Sequence, residues 1–225
     1  MKRFALALGL VSFAAAAYIP SSGAMMRRAA ARVQEGGKAR EVTLVGSLAV
    51  EGGAPAAAQL VLRFPLSCKL EQHGAPAISS AEGPAGPARD LVTLACPFIA
   101  YRGQSMAEAE RTLRTATSAA GVDVAAATGI TRLIDRAVYI LGADPHQPSK
   151  PQLWLYKDNN APARLLTQKG AELRLLQYGN PAAGDWFPRT LELWQNGALA
   201  ARFETLEVKG FRDAAEDEDQ DDARE

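Results

Sequence analysis

The sequence predicts a mainly-β protein of the α+β class, a curved antiparallel sheet wrapped around or capped by about two helices. Three observations lead there. Short apolar runs succeed one another, joined by tight connections rich in Asn, Gly and Pro. One segment carries a capped apolar stripe at helical spacing instead. Several runs are apolar on both faces, so the sheet needs cover on both.

The elements follow in order. Residues 25–40 have high helix propensity until Gly36-Gly37 stops them. In the next run Val42, Leu44, Gly46, Leu48 and Val50 share one face of a period-2 pattern, and Gly52-Gly53 offers a hairpin turn. Residues 59–64 and 66–72 read as the next two strands with Pro65 at the joint, and "DLVTLACP" reads as a fourth after a Gly/Pro-rich loop. Residues 104–119 are the clear helix. Ser105 and Glu108 make a capping box, Gly121 supplies the stop, and Met106, Ala109, Leu113 and Ala116 form the stripe that packs on the sheet.

Strands resume at 130–135, 137–141, 152–157, 163–168, 172–178, 188–194 and 199–209, with Asn196-Gly197 the strongest hairpin signal. Proline cannot donate to a strand ladder, so Pro188 marks a strand start and leaves Trp186 and Phe187 at its entrance. In "LWLYKD", Leu153 and Leu155 point one way while Trp154 and Tyr156 point the other.

The ends differ from this body. The first 24 residues place two cations before an apolar run from Phe4 to Ile19, then Pro20 and small residues, the order of a cleaved secretory signal. Ser22-Gly23-Ala24 and Ala15-Ala16-Ala17 are both candidate cleavage sites. Residues 213–225 hold eight of the 25 acids and one of the 25 bases, leaving 24 bases against 17 acids elsewhere. An end of this composition cannot contribute to a core and is expected to be disordered. The domain expectation is therefore a signal at 1–24, one domain at 25–212 and an acidic tail at 213–225, in an exported, soluble, periplasmic protein.

Formal net charge is zero, so no global field draws nucleic acid. Export gives Cys68 and Cys96 a meaning: two cysteines in an oxidising compartment favour a disulfide, with two buried free thiols as the alternative. Closing a loop of that length contributes about 3.5 kcal/mol in the chain-entropy model. No catalytic constellation is visible, and neither a P-loop, a nucleophile elbow nor a dinucleotide fingerprint occurs. Asp144 and His146 are too few for a zinc site. The expectation is a protein that is not an enzyme and uses no cofactor or metal.

Residues 150–209 add a resemblance. The strand "LWLYKD", the proline and basic residue of "PARLL", and "LQYGN" followed by "GDWFPRTLELW" resemble the C-terminal half of the LolA/LolB-like superfamily of periplasmic lipoprotein carriers and localisation factors. The cysteine-bearing segment 68–96 is not part of that pattern. The resemblance implies an unclosed antiparallel barrel with helices plugging its mouth. It implies a carrier or chaperone-like function, in which acyl chains of a lipoprotein or phospholipid lie in an apolar half-barrel. The alternative is an envelope interaction or sensing module of the same fold with a protein partner. On this reading Trp154, Tyr156, Trp186, Phe187, Trp194, Leu113 and Met106 line or rim the cavity. Arg63 is the candidate gating cation, with Arg132 and Arg164 competing for that role.

Overall fold

The computed structural model describes residues 19–32, 39–126, 129–180 and 185–210. Among them a single antiparallel sheet contains β1 (Glu41–Val50), β2 (Ala56–Arg63), β3 (Ser67–Gln72), β4 (Ile78–Ser79), β5 (Gly129–Leu133), β6 (Arg136–Leu141), β7 (Gln152–Tyr156), β8 (Pro162–Leu166), β9 (Glu172–Tyr178), β10 (Pro188–Gln195) and β11 (Ala198–Lys209). The spatial order is β4-β3-β2-β1-β11-β10-β9-β8-β7-β6-β5. The end strands β4 and β5 do not pair with each other, so the barrel is unclosed. Two meanders, β1–β4 and β5–β11, meet at one seam where β1 runs antiparallel to β11.

Local chemistry explains the strands. The even-numbered positions 42, 44, 46 and 48 of β1 are buried as the alternation requires. The β10–β11 hairpin turns through Asn196 and Gly197, both at positive φ. That is the geometry an Asn-Gly turn supplies at least cost.

Among the described residues three helices accompany the sheet. Helix α1 (Ser22–Ala31) is capped by the Ser21 hydroxyl, and its Met25, Met26, Ala29 and Ala30 are fully buried. Helix α3 (Met106–Ala119) carries the expected capping box, the Ser105 hydroxyl accepting from the Glu108 N–H while the Glu108 carboxylate accepts from the Ser105 N–H. Helix α2 (Pro87–Ile99) replaces the strand expected over residues 90–97. Leu91, Val92, Ala95, Cys96, Phe98 and Ile99 are its buried positions, an i, i+1, i+4, i+5 pattern that only a helix brings to one face. Pro87 sits at its first turn, where a missing N–H is harmless, and Pro97 lies near its end. The Gly/Pro-rich loop before it holds the two-residue edge strand β4.

Helix α2 packs against β3, β4, β9, β10, β11 and α3, so it spans both meanders across the concave face. Cys68 of β3 and Cys96 of α2 are disulfide-bonded, with a Cα–Cα distance of 5.8 Å. The Gly36-Gly37 stop, residues 1–18 and residues 211–225 lie outside the described residues, and with them most of the expected signal and the acidic tail.

The convex face explains the two-sided apolar pattern. Arg164 lies 4.4 Å above the Trp154 ring, Arg174 4.5 Å above Trp194 and Arg136 4.0 Å above Tyr156. Glu172 accepts from both Arg164 and Arg174, and Glu192 faces Arg174 and Arg202. Guanidiniums flattened over rings thus cover this face, their stems shielding apolar surface while their edges keep carboxylate partners.

Candidate functional site

Helix α2 does not fill the whole concave side. Between α2, the C-terminal half of α3 and the β8–β9 and β10–β11 hairpins lies an open cleft of about 740 Å³. Its walls are Leu94, Pro97 and Phe98 from α2, Ala116 and Ala119 from α3 with Ala120 at its C-cap, and Leu165 from β8. The small residues on α3 are what leave the space open. At the rim stand Asp90, Gln168, Lys169, Gln195 and Asn196, and the Gln195 amide donates to the Asp90 carboxylate at 2.9 Å. That volume lies within the range of small-molecule sites, and apolar walls with a polar rim suit an apolar ligand.

The other end of the half-barrel is built differently. It lies at the far end of β9, about 20 Å from the cleft at strand rise. Here Arg32, which follows α1, is buried between two rings, its guanidinium carbon 4.5 Å from the Tyr178 centroid and 4.8 Å from that of Trp186. Its Nη2 donates to the Trp186 carbonyl at 3.5 Å, while Nε has no hydrogen-bond partner among the described residues. The Tyr101 hydroxyl donates to the Ala29 carbonyl at 3.0 Å, tying the end of α2 to α1. Burial raises the Tyr101 and Tyr178 phenols above their ordinary range, and the nearby Arg32 charge only partly offsets it. Among the described residues this end is a plug of packed side chains.

The loop entering β10 is arranged around Asp185. Its carboxylate pairs with Arg189, accepts from the Phe187 N–H and occupies the space a Cβ on Gly179 would need. Trp186 then covers Arg32, Phe187 stacks on Phe64 at 6.3 Å in the core, and Pro188 opens the strand.

The expected lining residues are therefore dispersed. Leu113 and Phe187 are buried in the helix-covered core, and Trp186 belongs to the plug. Met106 is half exposed at the start of α3. Trp154, Tyr156 and Trp194 lie on the convex face under arginines, because their neighbours Leu153, Leu155 and Leu193 take the concave positions. None of the seven lines the cleft. Arg63 is exposed and pairs with Glu41, Arg164 is on the convex face, and Arg132 is at the β5–β6 hairpin. Arg32 is instead a buried cation that meets backbone, and Arg102 is buried as well; neither stands out from the sequence. Leu94 and Phe98 were missed with α2, although their four-residue spacing in a run opened by Pro87 was the available signal.

Among the described residues no group of three or more His, Cys, Asp or Glu is placed to hold a metal. No described helix is long and apolar enough to cross a membrane.

No family model matches the sequence, and no curated protein matches it. Among solved structures the chain is similar to a LolA superfamily protein from Nitrosomonas europaea, at 10% identity and TM-score 0.43, over 88% of this chain and 97% of that one. It is also similar to a DUF1329 family protein from Desulfovibrio piger, at 10% identity and TM-score 0.44, over 85% of this chain and 94% of that one.

Proposed function

We propose that this protein is an exported, periplasmic carrier that holds an acyl chain of a lipoprotein or phospholipid in the cleft between α2, α3 and the sheet. The cleft itself carries the reading: about 740 Å³ of open space walled by Leu94, Pro97, Phe98, Leu165 and the alanines of α3. Each buried methylene contributes ~0.8 kcal/mol, so a fatty-acyl chain gains of order 10 kcal/mol before ordering costs. Lys169 at the rim gives the cleft a cation beside which an anionic headgroup can rest. The role is binding and shielding rather than catalysis, in lipoprotein sorting or envelope lipid handling. Of the two candidate cleavage sites, the one at Ala17 leaves the Ser21 cap and α1 whole, whereas cleavage at Ala24 removes the cap.

The test is native mass spectrometry of the protein purified from periplasm without detergent, beside its Ala119→Trp variant. Ala119 is exposed on α3 and lines the cleft, so an indole there fills the space without entering the core. A lipid or acylated-peptide adduct on the parent chain, lost from the variant at unchanged melting temperature, is the expected result. Equal occupancy in both places the ligand elsewhere. Absence of any adduct, even after lipid is added, favours the second reading, an interaction module with a protein partner. That reading draws on how much of the concave face α2 already fills with Leu91, Val92, Ala95 and Phe98.

A further inference from the structure

We propose that the outer face of α1 and α3 is occupied in cis by the chain's own acidic segment, residues 213–225. This inference stands apart from the acyl-chain reading and does not depend on it.

The face is basic by placement. Arg27 and Arg28 are exposed on α1 and Arg111 is exposed on α3, which packs directly against α1. Arg114 comes from α3 to the same place. Its Nη2 and the Arg27 Nη1 lie 3.3 Å and 3.6 Å from the point where a Cβ on Gly23 would stand, so two guanidiniums converge over one bare stretch of backbone. The acids of this face are already engaged. Glu110 takes Nε and Nη2 of Arg114, and Glu108 is held in the capping box with Ser105. Among the described residues no ion pair within 4.0 Å joins Arg27, Arg28 or Arg111 to a carboxylate, and only the Arg111 charge reaches an acid of this face, Glu108. Converging cations with their local acids committed leave a surplus of positive potential, which an anion relieves.

The acidic segment has the complementary charge and starts at the right end. It holds eight acids and one base. The chain leaves β11 at Lys209, and Gly210 lies against the Glu41 backbone. The neighbouring Arg40 carbonyl accepts from Phe64, whose ring stacks on Phe187 beside the Arg32 plug. That is the end of the half-barrel where α1 finishes and α3 begins. From there thirteen extended residues reach up to ~43 Å, whereas α3 is about 21 Å long. Tethering raises the local concentration of acid at the helices to roughly the millimolar range, and the contact weakens as salt shortens the Debye length. The segment thereby withholds this face from other anions at low ionic strength.

A nitroxide placed by Gln220→Cys in the full oxidised chain tests the contact by paramagnetic broadening. At low salt the expected result is loss of amide signal at Arg27, Arg28 and Arg111. Those signals return in high salt and in a variant carrying Arg27→Ser, Arg28→Ser and Arg111→Ser. Broadening confined to residues beside Gly210, spread evenly over the sheet, or indifferent to salt overturns the proposal. Because the salt series uses the parent surface, the result stands even if the triple variant folds poorly.

Discussion

At the scale of single residues, Arg32 and Glu172 show two ways a charge is accommodated. Arg32 is buried between two aromatic faces, where a planar guanidinium fits and an ammonium does not. Arg32→Lys should cost about 1 kcal/mol and Arg32→Ala about 2 kcal/mol or more, as stacking and then packing are lost. Urea unfolding followed by tryptophan fluorescence measures both, and a Lys variant as stable as the parent would show that stacking contributes nothing. Glu172 is governed by its partners instead. Burial alone raises its pKa, but hydrogen bonds from Arg164 and Arg174 outweigh that and hold it below the ordinary carboxylate range. A depressed carboxylate contributes stability that is present above its unfolded pKa, about 4.3, and lost as pH falls through the lower folded value. Glu172→Gln should therefore melt below the parent at pH 7, with the gap narrowing as the pH drops under 4. A gap that stays constant would mean the ionised form is not what stabilises the pairs.

At the scale of elements, the disulfide decides how firmly α2 is held. Cys96 lies one turn from the end of α2, and its bond to β3 closes a loop with a sequence separation of 28. Replacing both cysteines with serine should lower stability by about 3.5 kcal/mol. Hydrogen exchange should localise the first loss of protection to α2 and β3 rather than to β7 and β8. Uniform loss would assign the bond a purely global role. This helix is also where the sequence was least legible. Its Val92, Thr93, Phe98 and Ile99 favour strands, and the preceding loop of Gly, Ala, Ser and Pro conceals Pro87 as a helix start. Tertiary burial on one face overrode that local preference. By contrast α3 and the β10–β11 hairpin were legible because Ser105/Glu108 and Asn196-Gly197 settle their geometry within a few residues. The cleft was hidden with α2. The aromatics that suggested a lining proved to be a matter of face, since a strand's alternation separates its sides without saying which of two apolar sides meets the helices.

At the scale of the whole molecule, the fold depends on the seam between β1 and β11, which unites a four-strand and a seven-strand meander. Gly46 sits in that seam at a register shift, and a Cβ there would lie 1.8 Å from the Glu204 carbonyl oxygen and 2.8 Å from its carbon. Both obstacles are backbone, so no side-chain rotation relieves the contact and the strands must part. Gly46→Ala should thus cost ~3 kcal/mol or more, at the upper end of overpacking effects. The seam is not the sole link, however, because α2 packs on strands of both meanders and is covalently tied to β3. Parting the strands then weakens a single cooperative unit rather than releasing two. The expected melt is one transition at lower temperature, coincident by near- and far-ultraviolet circular dichroism. Two resolved transitions would show that the meanders fold independently and that α2 does not couple them. In that event the cleft, whose walls are α2, α3 and the hairpins of the larger meander, should stay formed after the smaller meander has melted.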